Sequence, residues 1–164
     1  MSLTKSQRAR ALSHPAGWIA TGFGSGLSPV APGTAGSLAA LPFWFVLREL
    51  PWPLHLLAIA AAFALGVWAC NWLVRELHVD DPGAAVWDEF VGLWIALLPL
   101  LGLSVVIWHI AMGFILFRFF DIVKPWPVSW ADRSVGGGLG VMLDDAIAGF
   151  YAAVAMVALT HFVG

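Results

Sequence analysis

An all-α, multi-pass integral membrane bundle with short and broken helices is the fold class this sequence predicts, and three observations predict it. Hydrophobic residues make up 60% of the 164 and charged residues 11%, where soluble domains carry about 25% charged residues. Long apolar stretches recur along the chain, bounded by charged residues and Trp, as membrane segments are. Gly and Pro interrupt several of them, so some segments are too short to cross a bilayer in one regular helix. A chain of this length predicts one domain, residues 1–164, with a basic segment at 1–16. The formal net charge of -2 makes no case for nucleic acid, and the single cysteine, Cys70, excludes an internal disulfide and a cysteine metal cluster.

Lys5, Arg8 and Arg10 precede the first apolar segment. No short apolar run with a small-residue cleavage site follows them, so no signal peptide is expected, and the positive-inside rule places this head in the cytoplasm. Residues 21–37 then carry Gly22, Gly24, Gly26, Pro29, Pro32 and Gly33 with no charge, a density of breakers that predicts neither helix nor strand. Gly33, Thr34 and Ser37 lead into an apolar helix expected over about 35–48. Free backbone N–H groups at such a helix start suit an anion, though the same loop also reads as a structural turn, and it lacks the GK[ST] of a Walker loop.

Pro42 predicts a broken or tilted first segment. Arg48 and Glu49 mark a surface, Pro51, Trp52 and Pro53 make a tight connection, and Leu54 to Val74 reads as a full-length span ending at Arg75, Glu76 and His78. Asp81 and Pro82 read as a helix start, which puts Asp88 and Glu89 one or two turns inside an otherwise apolar helix. Between Phe90 and Phe117 lie 28 residues without an acidic or basic side chain other than His109, interrupted by Pro99, Gly102 and Ser104. As one span this would put Asp88 and Glu89 across the membrane from Arg118, Asp121 and Lys124; a turn at 99–104 instead makes it a hairpin of two short helices that returns both charged groups to one face, and the hairpin is the preferred reading.

Seven of the 18 charged side chains fall within the 28 residues from Arg118 to Asp145. Carboxylates beside lipid cost roughly 2.5–3.5 kcal/mol each near a bilayer centre, so this cluster predicts a polar site at a membrane surface. Arg118, Asp121 and Lys124 share a helical face; Pro125 should stop that helix, a flexible loop should carry Asp132 and Arg133, and Asp144 and Asp145 should open a last span, Ala146 to Val163. Five carboxylates, Asp88, Glu89, Asp121, Asp144 and Asp145, thus meet Arg118, Lys124 and Arg133. Oxygen-only donors favour a hard cation such as Mg²⁺, and neighbouring basic groups suit a phosphate. The residues alone leave two readings open: metal-assisted phosphoryl chemistry, or a small cation (Mg²⁺) transport protein using the same acids as an ion path.

GFGSGLSPVAPGTAGS at 22–37, DEFVG at 88–92, RFFDIVKPWP at 118–127 and GGGLGVMLDDAIAG at 136–149 together resemble the phosphatidylglycerophosphatase A family of bacterial membrane lipid phosphatases. The resemblance spans about residues 17–155 with the motifs in order. It implies Mg²⁺-dependent hydrolysis of the terminal phosphomonoester of phosphatidylglycerophosphate to phosphatidylglycerol, on the cytoplasmic face of the inner membrane. On this reading Glu89, Asp121, Asp144 and Asp145 form the metal set, with Asp88 as a further ligand, a base or a supporting group. Lys124, Arg118 and Arg133, aided by Gly33, Thr34 and Ser37, hold the phosphate. Other phosphatase signatures, Cys-x5-Arg, DxDx[TV] and KxxxxxxRP, are absent from the sequence, as is the pattern of CDP-alcohol transferases.

Overall fold

A computed structural model describes residues 3–79, 82–104 and 107–163. Among these the chain forms eight α-helices and no strand: α1 (Lys5–Ala11), α2 (Pro15–Ala20), α3 (Pro32–Leu47), α4 (Trp52–Leu77), α5 (Trp87–Ala96), α6 (Ile107–Val123), α7 (Val128–Ser134) and α8 (Gly137–Val163). α8 is central and packs against α4, α5, α6 and α7; α3 lies on the other side of α5, and α1 and α2 lie against α4. Two helices, Trp52–Leu77 and the Gly137–His161 part of α8, are long and apolar enough to cross a membrane. The expected span over 54–74 is the body of the first.

The turn expected at 99–104 is present. α5 ends at Ala96, a 3-10 turn covers Leu98–Leu100, and α6 begins at Ile107. Arg48, at the end of α3, reaches this tip and donates to the Leu103 carbonyl at 3.2 Å. The hairpin therefore brings the start of α5 and the end of α6 to the same end of the bundle, where Glu89 and Arg118 meet.

Four expectations need correction. Residues 21–37 are not free of helix: a 3-10 turn covers Ser25–Leu27, and α3 starts at Pro32, three residues ahead of the expected start. Proline at the first helical position loses no hydrogen bond, so the breakers that argued against a helix instead begin it. Pro42 does not break α3, which runs through it. The expected start at Asp81 lies outside the described residues, and α5 begins only at Trp87, so Asp88 and Glu89 occupy its first turn. Finally, the segment after Pro127 is helical, α7, and α8 starts at Gly137 rather than near Asp144. Asn71, from the last two turns of α4, accepts a hydrogen bond from the Gly138 amide at 2.7 Å, giving the first turn of α8 a partner that the glycines 136–138 cannot supply themselves.

Glycines set how closely α8 approaches its neighbours. A methyl group on Gly149 would stand 2.2 Å from the Gly92 carbonyl oxygen, and one on Gly138 would stand 2.3 Å from the Val67 carbonyl oxygen. These contacts are backbone on backbone, so α5 and α4 lie directly against α8 at these points.

Candidate active site

The Gly92–Gly149 contact carries the site with it. Glu89 and Asp88 precede Gly92 by three and four residues and Asp145 precedes Gly149 by four, so each acid lies one helical turn from the contact on its own helix. The result is a cluster in which one carboxylate oxygen from each of Asp88, Glu89 and Asp145 lies within 4.8 Å of the others. Glu89 and Asp145 are buried, 8% and 3% exposed. Asp88 Oδ1, Glu89 Oε2 and Asp145 Oδ2 are buried atoms without a hydrogen-bond partner among the described residues. Buried carboxylate oxygens are normally satisfied, and three that converge repel one another unless a cation lies between them.

The other two predicted acids are differently placed. Asp121 Oδ2 accepts from Arg118 at 2.8 Å, one turn away on α6, and the same guanidinium lies 3.5 Å from Glu89 Oε1. Asp144 Oδ2 accepts from Lys124 at 2.7 Å, and Lys124 also pairs with Asp132. Lys124 follows α6 with φ 46, a left-handed conformation uncommon outside glycine, which turns the chain toward α7. Burial acts to lower its affinity for a proton, but the hydrogen bonds and charges of Asp132 and Asp144 outweigh this and hold it well above the usual lysine range. Two carboxylates thus hold the Lys124 ammonium group. An ammonium group has three donors, so one remains for a ligand after both aspartates are served.

One cavity of about 650 Å³ joins these groups. Asp88, Glu89, Asp121, Asp144, Asp145, Arg118, Lys124, Arg133 and Gly33 all line it, as do Asp132 and the glycines at the start of α8. Thr34 and Ser37 do not line it, and the Ser37 hydroxyl donates to the Gly33 carbonyl within α3. Arg133 lines the cavity from the end of α7.

Gly33 contributes by lacking a side chain. A methyl group there would lie 2.2 Å from Glu89 Oε1 and 3.0 Å from both terminal nitrogens of Arg118. The first turn of α3 is thus a notch that seats the Glu89–Arg118 pair. Gly33→Ala should lower turnover at least tenfold with a melting temperature within a few degrees of wild type, because the clash falls on side-chain ends rather than backbone. Parallel detergent melts and rate measurements check this; an unchanged rate would mean that Glu89 need not occupy its present position.

Sequence reasoning gives no role to Asp132, which lines the cavity, although it counts among the clustered charges, nor to Asn71, which supports the start of α8 and whose signal is a polar amide inside an apolar span.

Comparison with known proteins follows the same outline. The family model for phosphatidylglycerophosphatase A matches residues 18–160. The Escherichia coli (strain K12) protein named phosphatidylglycerophosphatase A is 45% identical over 154 residues, covering 93% of this chain and 86% of its own. The protein of the same name from Haemophilus influenzae is 40% identical over 153 residues, 92% of each chain. A Bacteroides thetaiotaomicron protein, named provisionally as a phosphatidylinositol-3-phosphatase, is 42% identical over 151 residues, 88% of this chain and 92% of its own. No solved structure matches.

Proposed function

The chain belongs to the phosphatidylglycerophosphatase A family and is a phosphatase of a lipid substrate, and from its geometry we propose that it removes the terminal phosphomonoester of phosphatidylglycerophosphate in a Mg²⁺-dependent reaction, yielding phosphatidylglycerol for phospholipid synthesis. The observation that carries this reading is the convergence of three carboxylates, each with a buried unpartnered oxygen, beside Lys124 and Arg118 in one cavity. The donor set fits a hard divalent cation, being oxygen only. Asp88, Glu89 and Asp145 would hold it, with Asp121 and Asp144 next to them and tied to the two cationic side chains. When bound, Mg²⁺ would supply charge neutralisation and Lewis-acid polarisation at the phosphoryl group.

The chain's own residues bind and orient. Lys124, held by Asp132 and Asp144, offers its remaining N–H to a phosphoryl oxygen. Arg118, held by Asp121 and Glu89, offers a planar fork suited to a second. Both cations are fixed before substrate arrives, so little ordering is required at the moment of reaction. A cation-transport reading of the same acids is not favoured, since the relatives carry phosphatase names.

We further propose a multi-pass bundle in the bacterial inner membrane with the site at its cytoplasmic face. Less than half of the most apolar window in either long helix is buried, and Leu57, Val46, Ile115 and Val154 are more than half exposed. Apolar surface on that scale calls for a lipid neighbour. Arg8, Arg10 and Arg75 lie at or beside the end of α4 where Arg10 meets Glu76, and a basic end faces the cytoplasm by the positive-inside rule.

Purified protein should release phosphate from phosphatidylglycerophosphate, lose that activity in EDTA and regain it with Mg²⁺. Full activity after thorough chelation would remove the cation from the mechanism. Release from phosphatidylinositol 3-phosphate but not from phosphatidylglycerophosphate would move the substrate reading to the inositol lipid.

A further inference from the structure

Beside the carboxylate cavity lies a second, of about 140 Å³, and the two share Pro32 and Gly83 in their walls. Arg8 is the one charged side chain lining it among the described residues. We infer that this cavity is a subsite for the phosphodiester of the lipid substrate and that Arg8 is the residue that binds it. The inference rests on the substrate reading above: phosphatidylglycerophosphate carries two phosphates joined through one glycerol, so a phosphomonoester at Lys124 and Arg118 requires a second anionic group three carbons away.

The structure prepares Arg8 for such a ligand. Its helix, α1, is fixed by a reciprocal cap in which Thr4 and Gln7 each accept from the other's backbone amide. The Arg8 Nε donates to the Leu3 carbonyl at 3.2 Å, which holds the guanidinium plane and leaves its terminal nitrogens for another partner. Arg10, by contrast, lies 3.8 Å from Glu76; among the described residues no carboxylate lies within ion-pair distance of Arg8. The far wall is rigid, because a methyl group on Gly26 would stand 2.2 Å from the Ala84 carbonyl oxygen. A phosphodiester bears one negative charge and two free oxygens, which a guanidinium can meet together.

The test compares wild type, Arg8→Ala and Arg8→Lys as purified full chains in mixed micelles. It measures kcat and KM for phosphatidylglycerophosphate and the inhibition constant of inorganic phosphate, which needs only the phosphomonoester position. Arg8→Ala should raise KM roughly ten- to a hundredfold, the loss expected for a hydrogen bond to a charged group, with kcat within about twofold and phosphate inhibition unchanged. Arg8→Lys should recover part of the affinity. An unchanged KM, or equal weakening of lipid and inorganic phosphate, overturns the subsite. A wild type that does not turn over this lipid overturns the substrate reading and the subsite with it, so the two failures are distinguishable.

Discussion

Asp145→Asn should reduce turnover by about a thousandfold or more, equivalent to roughly 4 kcal/mol of transition-state stabilisation, while the protein melts at or above the wild-type temperature. The alternative account of this residue, an acid that complements a helix dipole, applies within the first turn and is worth about 0.3–1 kcal/mol there. α8 begins at Gly137, so Asp145 lies beyond two full turns and gains little from that effect. It is also almost fully buried with one oxygen unpartnered, an arrangement that costs stability unless a cation compensates. Asparagine keeps the shape and removes the charge. Asp88→Asn and Glu89→Gln should behave alike, whereas Asp144→Asn should act through a loosened Lys124 and Asp121→Asn through a loosened Arg118. Lipid phosphatase rates beside detergent melts decide the matter: an Asp145→Asn protein that melts normally and keeps more than about a tenth of the rate, a loss under 1.4 kcal/mol, would falsify its place in a catalytic metal site.

Gly149→Ala should damage stability and the site together. The added carbon would meet the Gly92 oxygen at 2.2 Å, its carbonyl carbon at 3.0 Å and its Cα at 3.1 Å. No side-chain rotation relieves a contact with backbone, so α5 and α8 must separate. Forced separation of this kind costs about 1–3 kcal/mol, or roughly 2–12 °C in melting temperature for a protein of this size. Activity should fall further than stability does, because Asp88, Glu89 and Asp145 ride on the two helices being pushed apart, and added Mg²⁺ should not restore it. For the melting temperature Gly136→Ala is the control, since nothing lies within 4 Å of its added carbon. Equal melting temperatures for Gly149→Ala and wild type would show that the two helices are not in direct contact there.

The sequence made the helical class, the long span over 54–74, the hairpin turn and the charge cluster legible because each depends on local composition: apolar run length, breakers within a run, or charges at its edge. Helix starts were less legible. Pro32 and Gly137 read as breakers, yet proline fits a first turn, and the glycines of α8 are supported by Asn71 from another helix, a partner 67 positions away that no local pattern reveals. The site's residues were largely visible as types, but not their division of labour. That Asp145 joins Asp88 and Glu89 while Asp121 and Asp144 each hold a cation follows from the crossing of α5 and α8, set by two glycines with no chemistry of their own.

Six carboxylates and three cationic side chains line the large cavity, giving it a formal charge of -3 in a chain whose total is -2. A phosphomonoester, itself doubly charged, approaches such a lining against repulsion, and a divalent cation offsets two of those negative charges. On the proposed reading, the two must therefore bind cooperatively. By reciprocity, whatever factor the cation adds to the affinity for phosphate, phosphate adds equally to the affinity for the cation. The cavity then favours being empty or doubly filled over being half filled, and inorganic phosphate that loses its cation is driven out by the same six carboxylates that drew the cation in.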